Sequence, residues 1–308
     1  MTRAVVFGYH NVGVRCLRAL IAAGVDVPLV LTHEDNPAET IWFDSVARTA
    51  AEYDIPVISP VDPNAAAVVE RVAACKPDFL FSFYYRAMLK APMLALQHRG
   101  ALNMHGSLLP QYRGRVPVNW AIIHGETETG ATLHYMLDQA DSGDIVAQQA
   151  VPILPDDTAK EVFDKVTVAA ELALSRALPA LLAGNAPWIK QDAQASTYYG
   201  GRKPEDGIID WSQSAIAIHN LVRAVAPPYP GAFTAVAGRQ ARVLRTRVLD
   251  ASKAPARNPS MAAENGRLVA RCGGGGALAI LKLELDGAEV SAPDFAATHG
   301  ATGVPLGG

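Results

Sequence analysis

Short apolar runs alternate with longer amphipathic stretches through the first 190 residues. Residues 4–7, 27–31 and 78–83 are near-continuous apolar runs, the pattern of strands buried on both faces. Between the first two, Val14, Leu17, Leu20 and Ile21 recur at helical spacing and predict a helix over 12–23. Residues 42–53 and 65–75 read as further helices, and 56–58 as a short extended piece. Residues 101–104 and 131–136 read as strands on either side of a helix at 116–124. Such alternation predicts an α/β fold with a doubly wound, mostly parallel sheet covered by helices on both faces.

A long alanine-rich helix is expected over 160–183, opened by Asp156-Asp157-Thr158 and stopped by Gly184-Asn185. The texture then changes. Residues 191–205 read as a linker, dividing an N-terminal domain (1–190) from a C-terminal one (206–308). In the latter, a helix over 214–226 ends at Pro227-Pro228. Strands follow at 232–236, 241–249, 267–272 and 277–285, with Gly273–Gly276 as a turn. Several short strands with turn residues between them predict a small β-barrel-like, OB-like domain. The Gly/Ala-rich end, 295–308, is expected to fray.

Composition narrows the function classes. Half of the 308 residues are apolar and 19% are charged, which excludes wholesale disorder. A net charge of -3 and a pI near 6.2 argue against a broad nucleic-acid surface. No apolar run is long enough to predict a membrane span, and the start reads as a buried strand rather than a leader. Cys16, Cys75 and Cys272 are scattered, so neither a disulfide framework nor a cysteine zinc site is expected, and the protein is expected to be cytoplasmic. The eight histidines are dispersed, and no metal is expected.

The loop after the first strand, Gly8-Tyr9-His10-Asn11-Val12-Gly13, has two glycines at the wrong spacing for a dinucleotide turn, so no NAD is expected. The densest polar cluster is instead Asn103 to Arg115. Asn103 and His105 lie two apart and share one side of an extended chain. They bring an amide donor and a titratable imidazole to one place. Asp141 follows the strand at 131–136. If that strand lies beside 101–104, Asp141 reaches His105, orients the imidazole and raises its pKa. The bland alternatives stay open: Asn103 and His105 as turn residues, and Asp141 as a ligand of backbone amides in its own Gly-containing turn.

Asn103-x-His105-x-Ser107-Leu108-Leu109-Pro110, then Arg113-Gly114 and Asp141, resemble the folate-dependent formyltransferases over nearly the whole chain. The resemblance implies 10-formyltetrahydrofolate as the formyl donor. It also implies His105 as proton donor, Asn103 as stabiliser of the oxyanion and Asp141 as the group that raises the pKa of His105. Donor contacts are implied for the backbone of Ala87, Met88 and Leu89, for Arg115, and for Leu137, Asp138, Gln139, Ala140 and Asp141.

Further stretches are similar to the branch of the family that formylates UDP-4-amino-4-deoxy-L-arabinose in lipid A modification and polymyxin resistance. They include Thr32-His33-Glu34-Asp35-Asn36-Pro37, Phe81-Ser82-Phe83-Tyr84-Tyr85-Arg86 and Arg223-Ala224-Val225-Ala226. In that branch a decarboxylase follows on the same chain; here it is expected on another polypeptide. Candidate contacts to the UDP group are Arg202, Lys203 and Tyr229.

The rival acceptor is methionyl-tRNA, whose formyltransferases carry a basic insertion after the second strand. The corresponding segment here, 33–44, is acidic and repels phosphate. Residues 206–308 hold ten Lys/Arg against eight Asp/Glu, with Arg239, Arg242, Arg245 and Arg247 close together. That cluster reads either as an RNA grip or as a solvated strand edge. Another nucleotide amino sugar, a catalytically silent binder and a hydrolase of the folate donor also stay open.

Overall fold

The computed structural model describes residues 1–300 and 302–307. The chain divides into two compact units. The first comprises Met1–Pro117, Glu128–Val151 and Phe163–Gly200; the second comprises Val118–Thr127, Pro152–Val162 and Gly201–Gly308.

The first unit carries strands β1 (Arg3–Gly8), β2 (Asp26–Leu31), β3 (Val57–Ile58), β4 (Phe79–Phe83), β5 (Gly100–His105), β6 (Arg113–Gly114), β7 (Glu128–Tyr135), β8 (Ile145–Pro152) and β9 (Tyr198–Tyr199). Its main sheet has the order β3-β2-β1-β4-β5-β7-β8. The β1–β2, β2–β3, β1–β4 and β4–β5 pairs are parallel, and β7 runs antiparallel to β5. The apolar runs seen in the sequence become its buried centre: Val5, Val6, Phe7, Leu80 and Phe83 are fully buried. Helix α1 (His10–Ala22) turns Val14, Leu17 and Leu20 inward at the predicted spacing. Each leucine so buried contributes roughly 1.5–3 kcal/mol. The fold is the doubly wound α/β architecture expected from the alternation.

Several elements differ from expectation. The helix expected over 42–53 is only α2 (Val46–Ala51), because the hydroxyl of Ser45 accepts from Arg48 N and caps it there. Trp42 and Phe43 pack their rings on His10 instead. Helices α3 (Ala66–Ala74), α4 (Ala91–Leu94) and α5 (Pro117–Ile123) follow. Helix α6 (Ala159–Ala183) is long and apolar enough to cross a membrane by length and composition, but half of its most apolar window is buried in the protein. Thr158 and Glu161 cap its start reciprocally. In the stretch read as a linker, β9 lies parallel to β6. Gly114, at φ 97°, lets them approach: a Cβ there would lie 2.2 Å from the Tyr199 carbonyl oxygen.

The second unit contains α7 (Ala215–Val225), β10 (Ala232–Val236), β11 (Arg239–Asp250), β12 (Ser260–Glu264), β13 (Arg267–Arg271), β14 (Ala277–Leu285), β15 (Ala288–Glu289), α8 (Ala292–His299) and β16 (Val304–Pro305). Its antiparallel sheet has the order β10-β11-β14-β13-β12-β16. A bridge between Val236 and Leu306 links the two edges, giving a curled, barrel-like sheet. The tail expected to fray is ordered in large part. Ser291 caps α8, Phe295 is fully buried, and β16 pairs with β12; residues 301 and 308 of that tail lie outside the described residues.

Arg223, from one of the family-like stretches, is structural. It is 6% exposed; its Nη1 donates to the carbonyls of Leu154 and Asp157, and its Nε to Asn220 Oδ1. Arg223→Ala removes these three buried hydrogen bonds and is expected to cost about 3 kcal/mol, read as a lowered midpoint in denaturant with an unchanged slope.

Candidate active site

Strands β5 and β7 build the floor. Asn103 and His105 share one face of β5, and the register sets His134 of β7 directly opposite Asn103. The loop after β7 folds over this face and delivers Asp141. Its Oδ1 lies 3.5 Å from His105 Nδ1, 3.5 Å from His134 Nε2 and 3.5 Å from Asn103 Nδ2. Its Oδ2 accepts from Gly114 N at 2.9 Å.

Donor and acceptor roles follow from the fixed partners. His105 Nε2 faces the Tyr112 carbonyl at 2.7 Å, and a carbonyl only accepts, so Nε2 carries a proton. Nδ1 therefore faces Asp141, which favours the imidazolium. His134 Nδ1 likewise donates to the Tyr135 carbonyl, leaving Nε2 to accept from Asn103 Nδ2 at 3.2 Å. His134 thus fixes which way the Asn103 amide points. Its signal in the sequence was its place on the strand at 131–136, but without the register it did not stand out.

The electrostatics pull in two directions. Burial pushes the His105 imidazole down, Asp141 and the Tyr112 carbonyl push it up, and burial prevails. Asp141 pushes the His105 pKa up but does not bring it back to its ordinary value. The carboxylate acts in the expected direction but is outweighed, because the imidazole is only 6% exposed. For Asp141 itself, burial raises the pKa, but His105 and the Gly114 N–H hold it well below the usual carboxylate range. It is ionised at neutral pH.

The surrounding loops are held tightly. Thr132 Oγ1 donates to the Ser107 carbonyl and accepts from Leu109 N, and Gln148 Nε2 donates to the Leu109 carbonyl. Tyr84, Tyr112 and Asp141 all have positive φ. Such residues cost of order 1–3 kcal/mol each and gather at functional sites. Gly143 closes the Asp141 turn, where a Cβ would lie 1.9 Å from the Tyr135 carbonyl oxygen.

The other sequence candidates fall in two groups. Ala87, Met88 and Leu89 follow β4, the parallel neighbour of β5. Asn64 grips this segment, its Nδ2 donating to the Met88 carbonyl and its Oδ1 accepting from Lys90 N. Leu137, Asp138, Gln139 and Ala140 form the loop leading to Asp141, and Leu137 and Met88 are each 55% exposed. Arg115 is exposed and its N–H donates to the Tyr199 carbonyl. A cavity of ≈ 330 Å³ opens beside the loop, lined by Arg113, Gln139, Ala140, Ser196, Thr197 and Tyr198.

Arg202, Lys203 and Tyr229 belong to the second unit. Arg202 lies over the Trp120 ring and donates from Nη2 to the Asp206 carbonyl, while its Nε and Nη1 are buried with no protein acceptor. Lys203 N donates to Asp206, and Tyr229 N to the Ala226 carbonyl. Among the described residues there is no cluster of three or more His, Cys, Asp or Glu suited to a metal ion.

Two family models match the chain: formyl transferase over residues 3–178, and the formyl transferase C-terminal domain over 202–300. The chain belongs to the formyl transferase family. It is an enzyme of formyl-group transfer. Among solved structures, it is similar to an N-formyltransferase from Helicobacter canadensis in complex with folinic acid and dTDP-3-aminofucose. Identity is 19%, the TM-score is 0.71, and 91% of this chain and 99% of that one are covered. A sugar 3N-formyl transferase, WlaRD, solved with dTDP and 5-N-formyl-THF, gives 18% identity and a TM-score of 0.68, covering 91% and 97%. A sugar N-formyltransferase from Shewanella sp FDAARGOS_354 gives 19% and 0.60, covering 76% and 92%. These likenesses bear on the fold of this formyltransferase.

The acidic segment after β2 is built in rather than loose. Arg86 binds Glu39 through both terminal nitrogens, at 2.8 and 2.9 Å, and Tyr9 Oη donates to Asp35 at 2.8 Å. Burial first, and then Asp35, push the Tyr9 hydroxyl up to about 12, so it remains a donor. Gly13 of the first loop packs against Val46, where a Cβ would come within 2.8 Å.

Proposed function

We propose that this formyltransferase moves a formyl group from 10-formyltetrahydrofolate to the amine of a nucleotide-linked amino sugar, specifically the 4-amino group of UDP-4-amino-4-deoxy-L-arabinose. The observation that carries the reading is the set of Asn103, His105 and Asp141 on one sheet face, in a chain that both formyl transferase models match. The pathway that follows from this acceptor is lipid A modification and polymyxin resistance, with the enzyme in the cytoplasm.

The chemistry follows from the geometry. A neutral sugar amine attacks the formyl carbon, and the formyl oxygen takes up negative charge. The Asn103 amide and the protonated His105 hydrogen-bond that oxygen. The bond from carbon to N10 then breaks. The new amine nitrogen loses a proton, N10 gains one, and His105 is the group placed to carry it. Asp141 favours the protonated form of His105 against the cost of burial. The 3.5 Å contacts in the free enzyme are long for hydrogen bonds, as catalytic contacts before substrate binding often are.

The donor is assigned to the 87–89 segment and the 137–141 loop. Exposed Met88 and Leu137 suit a flat heterocycle, and backbone groups of both segments suit its polar edge. Asn64→Ala removes two hydrogen bonds that hold the first segment. It is expected to raise the donor KM about tenfold with kcat little changed; steady-state kinetics with varied donor checks this.

The acceptor class rests on charge. The clustered arginines sit beside acids: Arg239 with Asp286, Arg242 with Glu284, Arg247 with Asp156, and Arg245 near enough to Glu161 to favour its charged form. Their charge is partly spent, and the acidic segment after β2 adds repulsion, so a tRNA backbone is disfavoured. Arg202, with two buried N–H groups lacking a protein acceptor, suits a diphosphate; Lys203 and the Tyr229 ring are assigned to the rest of the UDP group. The test supplies UDP-4-amino-4-deoxy-L-arabinose, a dTDP-3-amino sugar and methionyl-tRNA in parallel with the same donor. Highest kcat/KM on the UDP sugar supports the reading. Preference for the dTDP sugar corrects the acceptor only, and preference for the tRNA overturns the class.

A further inference from the structure

We infer that Gln191 is a positioning residue that sets the Asp141–His105 pair from outside the sheet; the inference rests on the reading that Asp141 serves His105. Gln191 falls between the two family models, which end at 178 and begin again at 202. In the sequence it sits in a polar stretch that reads as a linker.

The chain after α6 returns to the sheet, where Ile189 exchanges both backbone hydrogen bonds with Ile145 of β8. Two residues later the Gln191 amide uses all four of its hydrogen-bonding positions. Oε1 accepts from Arg113 Nε at 3.2 Å and from Nη2 at 2.7 Å. Nε2 donates to the Asp141 carbonyl at 2.9 Å and to the Gly143 carbonyl at 2.7 Å. Arginine only donates and carbonyls only accept, so the amide fits in one orientation. Arg113 fixes that orientation, and Gln191 passes it to the turn.

The turn needs such a brace. Asp141 sits at φ 55°, in the left-handed region that a non-glycine residue leaves readily. Gly143 has no room for a side chain against Tyr135. Holding the carbonyls on both sides of Ser142 pins the backbone from which the Asp141 carboxylate reaches His105. No side-chain atom of Gln191 is needed at the reacting centre.

The test uses the full-length enzyme and two readouts. The first is the His105 imidazole pKa by NMR titration without substrate. Asp141 favours the charged imidazole, so Gln191→Leu is expected to lower that pKa by about one. The second is a double-mutant cycle. Gln191→Leu is expected to lower kcat about 10- to 100-fold, with both KM values within about threefold. In an Asp141→Asn background its further effect falls below about twofold. Gln191→Glu keeps the Arg113 contact and loses both donors; it serves if the leucine variant does not fold, with the same expected direction. An unchanged His105 pKa in a folded variant, or the same fold-loss in both backgrounds, overturns the inference. If the wild type transfers no formyl group at all, the function is wrong and the titration still decides the role of Gln191.

Discussion

His105→Ala is expected to lower kcat by about 10²–10⁴-fold without unfolding the protein. The imidazole, on the β5 face, meets both a backbone acceptor and a carboxylate. Alanine leaves a small cavity and takes one donor from the Tyr112 carbonyl, a penalty that falls on stability rather than on the chemistry. Circular dichroism separates the two: a folded, inactive variant is the expected result. Asn103→Ala removes one hydrogen bond to the developing oxyanion and is expected to cost about 10²–10³-fold in kcat. It also frees His134 Nε2 from its donor, so His134→Ala is expected to show a weaker form of the same defect. Full activity in purified Asn103→Ala or His105→Ala removes the site assignment.

Asp141→Asn is the second large effect, and its sign is specific. In the folded enzyme burial holds the His105 pKa below its ordinary value, and the Asp141 charge works against that displacement. An amide in place of the carboxylate leaves only the Tyr112 carbonyl to oppose burial, so the His105 pKa falls further. The proton-donating form is present below that pKa and lost above it. The alkaline limb of the pH–rate profile therefore moves to lower pH in Asp141→Asn. If the pKa falls by about one, the rate near neutrality drops about tenfold. The acidic limb, set by the need for a neutral acceptor amine, stays where it is. A profile with both limbs unmoved contradicts the role given to Asp141.

Much of the architecture was legible because the sheet is mostly parallel. Strands such as β1 and β4 are buried on both faces and so read as unbroken apolar runs. Strands β8 and β12 were not read: β8, at the edge of its sheet, carries Gln148 and Gln149, and β12 is short, with two alanines and a terminal glutamate. The Ala-rich tail hid α8 because its anchor is one residue, Phe295, behind a Ser291 cap. The site was legible where chemistry and spacing coincide, as at Asn103 and His105, two apart on one strand. His134 and Gln191 were not, since their significance comes from register and from a chain return that no local pattern encodes. For His105 a charge partner is visible in the sequence, but the depth of burial that outweighs it is not.

The most direct test follows the fate of a ¹³C-labelled formyl group on 10-formyltetrahydrofolate by NMR, with and without UDP-4-amino-4-deoxy-L-arabinose. The account predicts that the label moves to a formamide on the sugar nitrogen only when the sugar is present, and that His105→Ala abolishes this transfer. Label released as formate at the same rate with or without the sugar, or label that stays on the folate in both cases, contradicts it.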